Sequence, residues 1–314
     1  MRILITDGMD KSAIAQLKDH GHEIVEQFYS PEELGAALRD FDAVVIRSAT
    51  KIRKAQLEIA KDSRLKLIIR GGVGVDNIDV ADAEVLGITV RNTPNASSNA
   101  VAELAIGMMF SCARYIAIAS HTMRQHKWEK KAYGKGFELC GKTLGVIGYG
   151  RIGKRIGDIA QAIGMNVIAY QRHPKPEYEC ETMRFAPLDE LLANADIIAL
   201  STPSLGAPII NAENIEKMKD GVVIVNTSRG ANVDEEALLS ALNSGKVRAA
   251  GLDVWAEEPT KNEALYTHPA VSCTPTSVRP RWRPRSGSAA RSLPSSRTSK
   301  KAKFCPGRKR LGLF

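Results

Sequence analysis

The chain has 314 residues, enough for about two domains, and 44% are hydrophobic, the usual share for a globular protein. Its five cysteines (Cys112, Cys140, Cys180, Cys273 and Cys305) show no C-x-x-C spacing, and no run approaches about 18 consecutive apolar residues, which argues against a disulfide framework, a zinc ribbon and a membrane-spanning helix. The formal charge of +9 is local: residues 276–314 hold 12 Lys and Arg and no Asp or Glu, so residues 1–275 carry 32 basic against 35 acidic residues, a net of −3, and read as the mildly acidic body of an enzyme.

Residues 1–10 contain an apolar run too short for a signal peptide, with acidic residues close behind, so a cytoplasmic protein with reduced thiols is expected. Residues 2–6 predict a first strand and residues 11–18 a helix with Ile14 and Leu17 inward. Residues 22–25, 43–47 and 67–69 predict further strands, with helical stretches at 31–38 and 52–60. Strands alternating with helices predict a parallel α/β sheet over residues 1–95. Two loops stand at strand ends, where open α/β sheets place ligands. One holds Arg47, the other runs from Arg70 through Gly71, Gly72, Val73 and Gly74 to Asn77. Glycine N–H groups in the second can form an anion nest, and two arginines beside it suit a substrate bearing carboxylate or phosphate. A turn at 92–95 marks a boundary, and the apolar spacing of residues 98–124 predicts one long helix with Met108 and Cys112 as packing residues.

Residues 142–172 are the centre of the chain. An apolar run at 144–147 predicts a buried strand, and Gly148, Gly150 and Gly153 follow in G-x-G-x-x-G spacing. A helical pattern comes next, then a second apolar run at 167–170. Strand, glycine turn, helix and strand in this order predict a dinucleotide site: Gly148 makes the turn, Gly150 admits a pyrophosphate and Gly153 lets the helix pack close. Arg151 and Ile152 open the helix whose N–H groups face the anion. Where an acidic residue usually binds the ribose 2′-hydroxyl, the chain has Gln171 and Arg172. Gln171 suits a hydroxyl and Arg172 a 2′-phosphate, so NAD and NADP are both open. Beyond, residues 196–200 predict a strand ended by Ser201, Thr202 and Pro203, and 215–218 a short helix. Residues 222–226 predict a strand ended by Thr227, Ser228 and Arg229, 234–242 a helix, and 249–252 a strand ended by Asp253. These ends are expected to gather round the nicotinamide half of the cofactor.

The motifs IRSATKI (46–52), RGGVGVDNID (70–79), NTSRGANVDEEAL (226–238) and GLDVWAEEP (251–259), with the glycine turn, make nearly all of residues 1–275 resemble the D-2-hydroxyacid dehydrogenases, and within them the branch oxidising 3-phosphoglycerate in serine biosynthesis. The resemblance implies two parallel-sheet α/β domains, Rossmann-like and flavodoxin-like, with the active site in a cleft between them. A substrate domain would span 1–95 and an NAD-binding domain 96–275. It implies a small-molecule 2-hydroxy acid substrate and a homodimer through the cofactor domain. Arg229 matches the family's catalytic arginine. Glu258, rather than Glu257, matches the glutamate that hydrogen-bonds the catalytic histidine. Thr202, Pro203, Thr227, Ser228 and Asp253 fall on the cofactor side, and Arg47, Arg70, Val73 and Gly74 on the substrate side.

The histidine itself is missing. Cys273, Thr274 and Pro275 arrive where the family motif requires, but Thr276 follows, and a threonine cannot take up a proton near neutral pH. None of the six histidines (His20, His22, His121, His126, His173, His268) occupies the motif. Residues 276–285 can be encoded so that a one-base shift of frame yields His-Ile-Gly-Ala-Ser-Thr-Val-Glu-Ala-Gln, the family's own continuation. Residues 276–314 therefore read as out-of-frame translation: a basic, Arg/Ser/Pro-rich tail, expected to be disordered, in place of the segment that returns to the first domain. Little or no turnover is expected. The alternatives are a reductase of glyoxylate, hydroxypyruvate or another 2-oxo acid, an inactive remnant, or a protein that binds nucleic acid without specificity through the tail.

Overall fold

Short aliphatic runs alternate with amphipathic stretches along the whole chain, and in the computed structural model the strands they form join two wholly parallel sheets. The structure describes residues 1–94 and 97–277, so all but the first two residues of the basic tail lie outside the described residues. The chain divides at Ser97 into two units.

The first unit runs β1 (Arg2–Ile5), α1 (Lys11–Asp19), β2 (Glu23–Glu26), α2 (Pro31–Leu38), β3 (Ala43–Ile46), α3 (Lys54–Ile59), β4 (Leu67–Arg70), α4 (Val80–Val85) and β5 (Thr89–Asn92). The sheet order is β2-β1-β3-β4-β5. Strand alternation sends Leu4, Val44, Ile46 and Ile68 into a core with Leu34, Leu38, Leu57 and Ala83 of α2, α3 and α4. The opposite face buries Ile3, Ile5, Ala43 and Val45 against Ile14 of α1. Local signals set the helix starts: Ser30 and Glu33 form a capping box with Pro31 at the first helical position, and Asp10 caps α1. The order reverses between β1 and β3, so their carboxyl ends, followed by residues 6–8 and 47–51, flank a topological switch point.

The second unit runs α5 (Ser98–Arg114), α6 (Ile116–Arg124), β6 (Thr143–Ile147), α7 (Arg151–Ala162), β7 (Asn166–Tyr170), β8 (Met183–Phe185), α8 (Leu188–Asn194), β9 (Ile197–Leu200), α9 (Ala212–Glu216), β10 (Val222–Asn226), α10 (Glu235–Ser244), β11 (Val247–Leu252), α11 (Glu263–Tyr266) and β12 (Val271–Cys273). The sheet order is β12-β11-β10-β9-β6-β7-β8. Outward from β6 this is the doubly wound dinucleotide-binding order, with its switch point between β6 and β9. The central strands are apolar on both faces, as a parallel sheet covered by helices requires. Val146, Val223 and Val225 pack with α5 and α7; Ile147, Ile198 and Ile224 face α8, α9 and α10. Met108 and Cys112 on α5 are buried packing residues.

Two sequence expectations are corrected. The single helix expected over 98–124 is two, bent by 66°. The cause is tertiary: the Ala113 carbonyl accepts the Phe137 N–H at 3.0 Å, and Tyr115 turns left-handed at φ 58° with its ring 5.8 Å from Tyr133. The helix expected at 215–218 lies earlier, because Asn211 caps it through a 2.9 Å bond from the Asn214 N–H. Among the described residues no single helix is long and apolar enough to cross a membrane.

Candidate active site

The glycine turn is built by close approach. Gly148, at φ +93°, leaves the end of β6, and its N–H bonds the Tyr170 carbonyl at the end of β7 at 2.9 Å. A side chain on Gly148 would stand 2.9 Å from Ser201 and Thr202, so the turn lies against the loop after β9, across the switch point. The Ser201 hydroxyl secures it, donating to the Gly148 carbonyl at 2.5 Å. A Cβ on Gly153 would fall 2.0 Å from the same carbonyl, whereas one on Gly150 meets nothing within 4 Å. Gly150 caps α7 without a side-chain hydrogen bond, so the first N–H groups of the helix, on Arg151, Ile152 and Gly153, have no side-chain cap, and a Cβ on Gly150 would meet only open space. Gln171 follows β7 directly, and its Oε1 is buried without a hydrogen-bond partner. These features fit a dinucleotide: free helical N–H groups for pyrophosphate and a buried acceptor for a ribose hydroxyl. An amide oxygen accepts from a hydroxyl but repels a 2′-phosphate. Arg172, the alternative partner, is exposed.

The loops after β9, β10, β11 and β12 are knitted together by polar side chains. Asn226, fully buried, accepts from the Ser228 N–H at 3.0 Å and hydroxyl at 2.8 Å and donates to the Arg229 carbonyl at 2.8 Å, bending the chain beneath Thr227, Ser228 and Arg229. Asn232, also fully buried, donates to the Thr202 carbonyl and the Ser228 hydroxyl, both at 3.0 Å, joining the β9 and β10 loops. A Cβ on Gly230 would lie 1.8 Å from the Trp255 carbonyl, so only glycine lets the Arg229 segment rest on the loop after β11. Arg229 is half-buried and donates to the Ser228 carbonyl at 2.7 Å. Pro203 is exposed beside Thr202.

Glu258 and Asp253 converge on residues 274–277. The Thr276 hydroxyl donates to Glu258 Oε1 at 2.6 Å, and its N–H to the Asp253 carbonyl at 2.8 Å. Asp253 is 3% exposed, and its Oδ1 accepts from the Thr274 hydroxyl at 2.6 Å and the Ser277 N–H at 2.7 Å. Glu257 turns away to pair with Lys261 at 2.7 Å. Thr276 thus occupies the place facing Glu258, and does so at φ +49°, a strained conformation for a β-branched residue. His268 gives no substitute: its Nδ1 accepts the Ala270 N–H at 3.2 Å at the amino end of β12, whereas Thr276 follows the carboxyl end.

In the first unit, Ile46 and Arg70 are register partners on β3 and β4, which places Arg47 and Arg70 at adjacent strand ends. The nest expected from the glycines narrows. The Gly71 N–H bonds the Ile46 carbonyl and the Gly72 N–H the Arg70 carbonyl, each at 2.8 Å, which leaves the N–H groups of Val73 and Gly74. Asn92 steadies this loop through the Val73 carbonyl at 2.5 Å. Asp7, which lies outside every quoted motif, and Asn77 hold the Arg47 loop, as do Asn226 and Asn232 the Arg229 loop. Asn77 and Asn232 stand inside quoted motifs but reach partners on other segments, whereas Asn226 bonds to Ser228 and Arg229 of its own motif.

Among the described residues no cluster of His, Cys, Asp and Glu is placed to hold a metal ion. A cavity of about 210 Å³ lined by Lys142, Asp196, Lys219, Asp220 and Arg248 opens at the amino ends of the second sheet's strands, the edge opposite to the glycine turn. Its position excludes it from this site despite its size.

Comparison with known proteins bears on most of the chain. The family model for the NAD binding domain of D-isomer specific 2-hydroxyacid dehydrogenases matches residues 106–276, and that for their catalytic domain matches residues 3–171. The chain is 46% identical over 265 residues to the hydroxypyruvate reductase of Thermotoga maritima, covering 83% of this chain and 85% of that protein. It is 44% identical over 280 residues to the D-3-phosphoglycerate dehydrogenase of Methanocaldococcus jannaschii, covering 88% of this chain but 53% of that protein, so it spans about half the length of that relative. The crystal structure of a glyoxylate reductase from Paecilomyes thermophila superposes with a TM-score of 0.81 at 31% identity over 88% of each chain.

Proposed function

The chain belongs to the D-isomer specific 2-hydroxyacid dehydrogenase family and binds NAD, and from that premise we propose that it acts on a three-carbon 2-hydroxy acid/2-oxo acid pair, with 3-phosphoglycerate and 3-phosphohydroxypyruvate as the first pair. Oxidation of a 2-hydroxy acid removes a hydride from carbon and a proton from oxygen. NAD, when bound, supplies the hydride acceptor. Gly150, Arg151, Ile152 and Gly153 hold its pyrophosphate, Gln171 its ribose, and Thr202, Pro203, Thr227, Ser228 and Asp253 border its nicotinamide half.

Arg229 grips the carboxylate in a bidentate pair and polarises the neighbouring oxygen. In the first unit, Arg47 and Arg70, with the N–H groups of Val73 and Gly74, suit an anionic group of the substrate. The observation that carries the phosphorylated reading is the pair of arginines at adjacent strand ends, more cationic capacity than one carboxylate needs. A second reading, hydroxypyruvate itself, is favoured by the 46% identity to a hydroxypyruvate reductase of comparable length.

The proton step is where this chain is weak. Glu258 faces a hydroxyl that already donates to it, and that hydroxyl can neither accept a proton near neutral pH nor be made more basic by the carboxylate. Cofactor and acid bind, but turnover is slow. The protein is taken to be cytoplasmic and to pair with a second copy through the second unit, where α6 buries no residue and Phe110, Ile116, Met123 and Trp128 are exposed.

Reduction of 3-phosphohydroxypyruvate, hydroxypyruvate and glyoxylate by NADH is the test, in the parent and in Thr276→His. The histidine variant is expected to be faster by about 10²–10⁴, the usual contribution of a general base. Equal rates in the two proteins, or a preference for glyoxylate, contradict the proposal.

A further inference from the structure

The loop that carries Arg47 is gripped from both sides. It leaves the carboxyl end of β3, and the clamping side chains come from the segments that follow β3's two neighbours, β1 and β4. From the β1 side, Asp7 Oδ2 accepts the N–H groups of Arg47 at 2.6 Å and Thr50 at 3.0 Å, while Oδ1 accepts the Thr50 hydroxyl at 2.6 Å. From the β4 side, the two protons of the Asn77 amide go to the carbonyls of Arg47 and Thr50, each at 2.6 Å. Thr50 is 4% exposed and also meets the Thr6 hydroxyl at 2.7 Å. Between these fixed ends, Ser48 and Ala49 are exposed and Arg47 is half-buried.

A short surface loop gains nothing from so many bonds unless its own geometry matters, because fixing each residue costs conformational entropy. A carboxylate on the N–H side and an amide on the carbonyl side leave the backbone at Arg47 with one orientation. We propose that Asp7 and Asn77 are positioning residues for the acid. They fix the origin of the Arg47 side chain before substrate arrives, so that binding does not have to order the loop. The proposal rests on the reading of Arg47 as an acid-binding residue.

The two side chains make different demands on substitution. Asp7→Asn can keep the arrangement: its oxygen accepts the two N–H groups and its amide donates to the Thr50 hydroxyl, which turns toward Thr6. Asp7→Ala removes all three bonds. Asn77→Asp keeps the volume but sets a carboxylate against two carbonyl oxygens.

The test is calorimetric titration of the NAD⁺-saturated protein with 3-phosphohydroxypyruvate and with hydroxypyruvate, a pairing that cannot turn over. Asp7→Ala and Asn77→Asp are expected to raise the acid Kd about tenfold or more, the factor for losing a charge-assisted or buried hydrogen bond. Asp7→Asn is expected to recover most of that loss, and the Kd for NAD⁺ to stay unchanged throughout. Should Asp7→Ala fail to fold, Thr50→Val removes one of its bonds isosterically and is expected to weaken the acid in the same sense. Arg47→Ala is measured alongside. If Arg47→Ala weakens the acid while Asp7→Ala and Asn77→Asp do not, the positioning role is overturned and the substrate reading stands. If Arg47→Ala itself leaves the acid Kd unchanged, both fall.

Discussion

Thr276 and Cys112 show how much a single residue's surroundings decide. Thr276 contacts Glu258 through a 2.6 Å hydrogen bond, and in the function proposed above it stands where a proton acceptor is required but cannot act as one. Its neighbours make the same point: Glu258 and Glu257 are adjacent in sequence, yet one faces Thr276 and the other pairs with Lys261. Cys112 is set entirely by burial. On the buried face of α5 with no charge to stabilise a thiolate, its pKa is pushed up from 9.0 to about 12 by desolvation. The unfolded chain ionises first, so the stability linked to this thiol is full below pH 9 and is lost as pH rises from there toward about 12. Iodoacetamide at pH 8.5 is expected to label exposed Cys140 and to leave Cys112 untouched until the protein is unfolded, as mass spectrometry of tryptic peptides will read. Labelling of native Cys112 at the rate of Cys140 contradicts its placement.

At the scale of elements, α7 and the turn before it are the part that cannot be loosened. Gly153→Ala places a methyl carbon 2.0 Å from the Gly148 carbonyl, and neither backbone segment can yield without breaking the turn. A loss of about 1–3 kcal/mol, the usual cost of overpacking, is expected in urea unfolding, together with weaker NAD binding. An unchanged unfolding midpoint contradicts this packing. The reading of α7 from sequence succeeds because its causes are local: three glycines, an amphipathic repeat and flanking aliphatic strands. The helix over 98–124 fails because its cause is distant. No glycine or proline announces the break at Tyr115, where Phe137 takes a helical carbonyl and Tyr133 holds the ring. The strand β12 and the helix α11 are not legible in the sequence for a related reason: three and four residues are too few to carry a period.

For the whole molecule, the alternation of strand and helix suffices to predict two parallel-sheet α/β units, since parallel strands must be joined by crossovers and these take one hand. Strand order is beyond that reading, yet it is what brings residues 148–153, 171, 201–203 and 226–229 to one edge of the second sheet. The motifs identify which residues bear chemistry. Of the side chains that aim them, Asp7, Asn77 and Asn232 bond across to segments 27 to 43 positions away, which only the fold reveals, whereas Asn226 bonds within its own loop to Ser228 and Arg229. Charge is equally uneven: a net −3 over residues 1–275 leaves the cofactor-binding body unlike the basic segment that follows.

In the proposed function NAD lies over the open backbone at Gly150, and the decisive comparison is calorimetric titration of NAD⁺ into the parent and Gly150→Ala, with a melting curve for each. A methyl group there meets no protein atom within 4 Å, so the fold is expected to melt at the same temperature while NAD⁺ affinity falls by about tenfold or more. Equal NAD⁺ affinity in the two proteins, or no NAD⁺ binding by the parent, would contradict it.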